Sequence, residues 1–183
     1  LPVLKRKGLT AFWFIQSGIL VGDVGVLEVF RRFRNEHFSS MADFYRSFFS
    51  VAFGSESEKL IYQIKKKMPS KFLKEFKFYS EEDRVFRYIR DQVLDPQQYI
   101  DIMISLIHSM KSDVEKLSKN LFLDKALIKL LENEGHIFGL HSHSHPTCLA
   151  DLPEKSQRME YEKNYEILNE ILMVPPFTMA HPC

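Results

Sequence analysis

The chain has 183 residues, of which 45% are hydrophobic and 27% are charged, and its formal net charge is +1 at pH 7. This composition is that of an ordinary globular protein with one sizeable core, and the balanced charge gives no sign of a nucleic-acid or membrane-surface partner. No uninterrupted apolar segment reaches the roughly 18 residues that a membrane-spanning helix needs.

The cysteines and the chain ends give little evidence of where the protein is targeted. Cys148 and Cys183 are too few for a disulfide framework, which favours the cytoplasm but leaves the localisation open. The first residue is not Met, and Leu1-Pro2-Val3-Leu4 reads as the middle of a helix. We therefore expect both ends to be cut, so the lack of a signal peptide carries little weight.

The first 25 residues predict a helix end, a strand and a loop. Basic residues at positions 5–7 followed by Gly8 are typical of a helix C-terminus. The apolar, aromatic-rich run Leu9–Gln16 predicts a strand that is buried on both faces, as in a parallel sheet. The glycines of Ser17–Gly25 do not match a phosphate-binding spacing, and Asp23 is expected to be a turn residue rather than a ligand.

Residues 26–120 have a mostly helical pattern and form a predicted insertion after the first strand. Ser80 and Asp95 are expected to begin helices, because their side chains accept hydrogen bonds from the first turn of a helix. The run Lys65–Lys67 is expected on the solvated last turn of a helix over 58–67. Three lysines are too short a run to indicate nucleic-acid binding.

Helix, strand, helix and a third strand follow in that order. The pattern predicts a helix over Leu123–Gly135 with Asp124 as its N-cap, a strand over His136–Leu140, and a strand over Phe177–Ala180. The last helix, Glu160–Met173, is expected to pack through Tyr161, Tyr165, Leu168, Ile171 and Leu172. Strands that alternate with helices predict an α/β fold with parallel βαβ units, whose chemistry gathers at the carboxyl ends of the strands.

Three of the seven histidines lie within five positions directly after the second strand. Burying several imidazoles together is unfavourable unless their lone pairs are used, so His141, His143 and His145 predict a metal site. Two ligand pairs are open. His141 and His143 share a face if the strand continues, whereas His141 and His145 converge if the chain turns. The intervening serines and the proline that follows favour a turn.

The segment Gly135–Pro146 resembles the second motif of the polysaccharide deacetylase, or NodB-homology, family. In that motif a His, a Ser or Thr, two further residues and a second His follow a strand. Leu1–Phe14 is similar to the segment that joins the family's first motif to its second strand, and Asp124–Gly135 to the helix before the second motif. Met179–Cys183 resembles the start of the third motif. These segments cover about half of the chain and leave out the helical insertion.

The resemblance implies part of a distorted (β/α) barrel, with residues 1–183 as a single, partial deacetylase-like domain and residues 26–120 inserted into it. The implied activity is that of a metal-dependent hydrolase that removes acetyl groups from an N-acetylated sugar or polysaccharide, with zinc as the expected metal. The implied site residues are the metal ligands His141 and His145, the supporting residues Ser142 and His143, and the substrate-binding residues His181 and Pro182.

The family's remaining catalytic groups are expected outside this chain. Two aspartates, one a catalytic base and the other the third metal ligand, should lie before Leu1, and a general-acid histidine should lie after Cys183. The chain alone is therefore expected to be inactive. Because the insertion begins at the carboxyl end of a strand, it is expected to lie over the active face and to select the glycan.

Two alternatives stay open at this point. Amidohydrolase and PHP-type barrels place a His-x-His pair at a strand end, which His141 and His143 would satisfy. A degenerate barrel could also act without catalysis, as a carbohydrate-binding or interaction module. The sequence does not identify the sugar, the acyl group or the oligomeric state.

Overall fold

The computed structural model describes residues 1–146 and 148–182, which divide into two compact units. One unit contains Leu1–Gly25 and Asn120–Cys183, and the other contains Val26–Lys119. The helices of the described residues are α1 (Pro2–Lys7), α2 (Val26–His37), α3 (Met41–Phe53), α4 (Ser57–Lys67), α5 (Glu81–Tyr88), α6 (Pro96–Ser109), α7 (Val114–Ser118), α8 (Lys125–Asn133) and α9 (Glu154–Ile171). The strands are β1 (Phe12–Ile15) and β2 (Ile137–Leu140). The fold is thus mixed and mostly helical; the assignment of a single domain with an insertion stays a prediction.

The two strands are parallel, as the alternation of strands and helices predicts. Their register pairs Phe12 with Ile137 and Ile15 with Leu140. The predicted third strand is reduced to one parallel bridge between Leu140 and Met179, held by hydrogen bonds from the Leu140 N–H to the Thr178 carbonyl (2.9 Å) and from the Ala180 N–H to the Leu140 carbonyl (3.0 Å). The three segments therefore end at one edge of the sheet.

Helices cover one face of this sheet. The buried core joins residues of the strands to residues of α8, of α9 and of the segment that follows α9: Ile15, Ile128, Leu131, Phe138, Leu168, Ile171 and Leu172. On the opposite face Phe12 is 56% exposed, and Phe14 is exposed as well. The expectation that the first strand is buried on both faces is therefore wrong for this structure, because no described element packs on its second face.

The caps of α8 and α9 differ in how well the sequence predicts them. Asp124 is the N-cap of α8, as predicted, and its carboxylate accepts a hydrogen bond from the Leu127 N–H at 2.7 Å. Helix α9 begins at Glu154, six residues before the predicted start, directly after Pro153. Its buried face also differs from the prediction, since Tyr165 is exposed and Asn164 is completely buried.

The second unit is a bundle of helices around an aromatic core. Phe33, Phe44 and Phe48 are fully buried in it. Ser80 and Asp95 begin helices as predicted, each in a reciprocal capping box with the residue three positions later. Within the described residues, no helix combines the length and the apolar character needed to cross a membrane.

Asp83 ties two helices of this unit together. Its carboxylate accepts hydrogen bonds from the Ser80 N–H (3.0 Å) and from the Tyr45 hydroxyl of α3. Partial burial raises the pKa of Asp83, but the hydrogen bonds from Tyr45 and Ser80 outweigh that effect, so its pKa lies below the ordinary value. The ionised carboxylate is therefore the form that the fold favours.

We expect Asp83→Asn to lower the free energy of unfolding of this unit by about 1 kcal/mol at pH 7, because one hydrogen-bond acceptor and the charge are lost. Urea unfolding followed by far-UV circular dichroism measures this. The folded-state pKa is lowered, so the carboxylate contributes above its unfolded pKa, and the difference should shrink as the pH falls below about 4. Glu82→Gln, at the exposed neighbouring position, is the control and should change little.

Candidate functional site

The loops that follow β1 and β2 run side by side at the carboxyl edge of the sheet. The Ser17 N–H donates to the Ser142 carbonyl at 3.3 Å, and the Gly18 N–H donates to the His143 carbonyl at 2.9 Å. A β-carbon at position 18 would collide with the Asp23 carboxylate and lie 2.9 Å from the His143 carbonyl oxygen. Only glycine therefore allows the two loops to approach this closely.

The chain turns immediately after β2 instead of continuing as a strand. Ser142 and His145 both have left-handed backbones, with φ of 62° and 55°. The Ser142 hydroxyl is buried and accepts a hydrogen bond from the His145 N–H at 3.1 Å, which closes the turn. Left-handed backbone in a residue other than glycine costs free energy, and residues strained in this way are enriched at functional sites.

This turn brings the rings of His141 and His145 together. Their centroids are 4.9 Å apart, and both residues are half-buried. Nδ1 of His141 lies 2.9 Å from the Ala180 carbonyl oxygen, which can only accept a hydrogen bond. Nδ1 therefore carries the proton, and in the neutral ring the lone pair is on Nε2. A carbonyl that orients an imidazole in this way is typical of the surroundings of metal ligands.

His143 lies in different surroundings from the other two histidines. It is buried, its Nδ1 is 3.0 Å from the Ser17 hydroxyl, and its Nε2 is 4.0 Å from the Asp23 carboxylate. Both ring nitrogens thus face groups of the loop that follows β1. The Asp23 N–H donates to the Gly18 carbonyl at 3.0 Å, which holds its carboxylate beside His143, a position that sequence patterns do not predict.

Two polar residues of α9 hold the site, and sequence patterns did not identify either of them. Glu160 accepts hydrogen bonds from the N–H groups of His143 (2.8 Å) and Ser144 (2.7 Å) and from the Ser144 hydroxyl (2.7 Å). Asn164 accepts from the His141 N–H and donates to the Ile15 carbonyl, both at 2.9 Å. Their spacing of four residues places both on one face of the helix, and a polar residue within the apolar stripe was the only available signal.

The third segment adds His181 to the same edge. Nδ1 of His181 is 2.6 Å from the Tyr161 hydroxyl. Burial, and after it the charge of Glu160, raises the pKa of Tyr161, so its hydroxyl stays protonated. The hydroxyl can donate to this nitrogen or accept from it, according to the tautomer of the ring. His181 is exposed, whereas Pro182 is buried. Cys183, the last residue of the motif-like segment, lies outside the described residues.

The residues present fit part of a metal site. His141 and His145 bring two imidazoles into contact, and one of them is oriented by a carbonyl. Catalytic zinc sites use three protein ligands, and within residues 1–146 and 148–182 no group of three His, Cys, Asp or Glu side chains could hold a metal. The assignment of His141 and His145 as ligands stays a prediction, as do the roles of Ser142, His143, His181 and Pro182.

We expect Glu160→Ala to loosen the turn that carries the histidines. The change removes three hydrogen bonds to a carboxylate, and we expect it to lower the free energy of unfolding by about 1.5 kcal/mol. Hydrogen exchange of the His143 and Ser144 amides should become faster in the variant. Glu166→Ala, an exposed glutamate of the same helix, is the matched control and should leave both amides unchanged.

Comparison with known proteins relates the C-terminal part of the chain to one family. Residues 98–183 match the family model described as polysaccharide deacetylase. A peptidoglycan-N-acetylglucosamine deacetylase from Bacillus cereus is 35% identical over 75 residues, which are 41% of this chain and 27% of the relative. The match thus covers about a quarter of that relative's length. No solved structure matches the chain.

Proposed function

We propose that this protein removes acetyl groups from an N-acetylated sugar of a polysaccharide in a metal-dependent hydrolysis. The ground for the proposal is that the chain belongs to the polysaccharide deacetylase family through residues 98–183. The observation that supports this most directly is the contact between the rings of His141 and His145 at the carboxyl end of β2. Carboxyl ends of parallel strands are where α/β folds bind their ligands.

His141 and His145 would hold the metal, and zinc suits two imidazoles. When bound, such an ion supplies a Lewis acid and lowers the pKa of a bound water towards neutrality. The chain's own residues prepare the two ligands: the Ala180 carbonyl fixes the tautomer of His141, and the Ser142 hydroxyl fixes the backbone of His145. We propose that the third ligand and the catalytic base are the two aspartates of the family's first motif.

The open face of the sheet supports the finer proposal of a (β/α) barrel. Phe12 and Phe14 of β1 are exposed there, and their rings stack at a centroid distance of 6.4 Å. Parallel sheets are almost always covered on both faces, because βαβ crossovers put helices on one side and barrel closure fills the other. Further strands of a barrel would bury these rings, so we propose this fold for the whole protein.

N-acetylglucosamine is the sugar that we propose as the substrate unit. The Bacillus cereus relative is named for the deacetylation of N-acetylglucosamine in peptidoglycan. We propose that His181, which is exposed at the same edge, contacts the sugar and that the Tyr161 hydroxyl holds its ring in place. Pro182 would shape the site wall from a buried position.

We also propose that this chain of 183 residues is inactive by itself. Two imidazoles are in contact in it, and the described residues contain no aspartate pair beside them. A metal held by two protein ligands and no adjacent carboxylate lacks the base that the hydrolysis needs. Release of acetate by the purified chain would contradict this proposal.

The function is tested by acetate release from N-acetylglucosamine oligosaccharides and from peptidoglycan, with the protein expressed from its whole open reading frame. We expect zinc-dependent release by the wild type and none by His145→Ala. Zinc binding and glycan binding without acetate release would instead support a carbohydrate-binding module. Loss of activity in His143→Ala together with full activity in His145→Ala would support an amidohydrolase-type site.

A further inference from the structure

The second unit carries a dense group of positive charges on a short stretch of surface. Residues 62–79, named here the basic aromatic segment, join the last two turns of α4 to the turns before α5. The segment contains one acidic residue, Glu75, and six lysines, all exposed: Lys65, Lys66, Lys67, Lys71, Lys74 and Lys77. Lys65 pairs with Glu81 at 2.8 Å, and within the described residues the other five make no ion pair. The balanced charge of the whole chain conceals this local excess.

Aromatic rings lie among these lysines and face solvent. Phe78 is 74% exposed, and Phe76 and Tyr62 are exposed as well. The Phe76, Phe78 and Tyr79 rings contact one another, with centroid distances of 4.4 to 5.8 Å. Backbone hydrogen bonds such as Phe76 N–H to Leu73 carbonyl and Tyr79 N–H to Phe76 carbonyl fold this stretch into consecutive turns. The segment thus presents a small apolar cluster surrounded by cations.

We propose that the basic aromatic segment binds the surface of a membrane that contains anionic phospholipids. Each lysine near such a surface gains electrostatic free energy from the anionic headgroups, and its apolar stem tolerates the interface. The exposed rings of Phe76 and Phe78 leave water when they enter the boundary between headgroups and acyl chains. Apolar side chains surrounded by Lys are the composition of surfaces that lie in this interface.

The ring geometry favours a lipid surface over a nucleic acid. Base stacking needs an open, flat ring face. Here the three rings are packed against one another at interplanar angles of 55° to 64°, so they form a compact apolar wedge. A wedge of this kind inserts among acyl chains, whereas it offers few parallel faces to bases. This surface is independent of the proposed hydrolysis, and its test needs no catalytic activity.

Co-sedimentation of the full chain with vesicles tests the proposal. We expect binding to vesicles with about one third phosphatidylglycerol, little binding to pure phosphatidylcholine, and weaker binding in high salt. Lys74→Gln combined with Lys77→Gln should weaken binding about 25-fold, because the loss of each lysine weakens it about fivefold. The matched control, Lys125→Gln with Lys129→Gln, removes the same charge from exposed positions of α8 and should bind like the wild type.

A second pair of variants tests what the exposed aromatic rings contribute to vesicle binding. Phe78→Ala should weaken vesicle binding about tenfold, because a ring that enters the interface is lost. Phe177→Ala removes a ring that is about equally exposed, at 72%, but lies in a stretch of sequence without lysines, residues 164–183, and binding should not change. Equal binding to neutral and anionic vesicles, or no binding to either, would overturn the proposal. Binding to a DNA duplex that is as tight as vesicle binding and insensitive to Phe78→Ala would overturn it as well.

Discussion

Asn164→Leu is expected to lower the free energy of unfolding of the sheet-containing unit by about 3 kcal/mol. Asn164 is completely buried and joins the ends of both strands, accepting from the His141 N–H and donating to the Ile15 carbonyl. A leucine makes neither hydrogen bond, so one donor and one acceptor of the backbone stay buried without a partner, each at a cost of about 1 to 3 kcal/mol.

The chain provides its own probe for this measurement. Trp13 is its single tryptophan and lies in β1, two residues before Ile15. Urea unfolding followed by the fluorescence of this residue therefore reports on the unit that contains Asn164. Asn169→Leu, which makes the same substitution at an exposed position of α9, should shift the midpoint very little. Equal effects of the two substitutions would show that the two hydrogen bonds of Asn164 contribute nothing to the free energy of unfolding.

Asn164→Asp separates the donor from the acceptor. Its carboxylate can still accept from the His141 N–H, but the ionised group cannot donate to the Ile15 carbonyl and is buried without a counter-ion. Burial raises the folded-state pKa of such an aspartate, so the variant's deficit relative to the wild type should be large at pH 7. The deficit should shrink as the pH falls and the carboxyl becomes protonated, because it can then donate.

Local signals in the sequence predict the elements better than they predict what packs against them. Asp124, Ser80 and Asp95 cap helices as predicted, because a cap depends on residues three positions away. The start of α9 was misplaced because a polar first turn gives no apolar period to detect. The burial of β1 was overestimated because a continuous apolar run does not reveal how many faces of a strand are covered.

At the candidate site, the sequence predicts which residues gather but only part of how they are held. The histidines follow β2 directly, and parallel pairing brings the loop after β1 to the same edge. Glu160 and Asn164 lie on a helix about twenty residues further along. Apart from the Ser144 hydroxyl, their partners are backbone groups, which leave no mark on side-chain patterns. Such partners can therefore be predicted only when the packing of α9 on the sheet is known.

The second prediction concerns the affinity of the histidine turn for zinc. His141→Ala and His145→Ala should each weaken zinc binding on the order of 100-fold, because each removes one of two imidazoles that are in ring contact. His143→Ala should bind zinc like the wild type, since both ring nitrogens of His143 face Ser17 and Asp23. Isothermal titration with zinc, on the chain and on the three variants, measures these differences.

The three variants also distinguish the two spacings that the sequence left open. If the chain used a His-x-His pair, His143→Ala would lose zinc and His145→Ala would keep it, which is the reverse of our expectation. His143→Ala removes a buried ring and should destabilise the unit, so Trp13 fluorescence must show that each variant is folded at the temperature of the titration. If the His143→Ala variant is folded and its zinc affinity is unchanged, the His143 ring is not a metal ligand. Its role would then be to join the two loops.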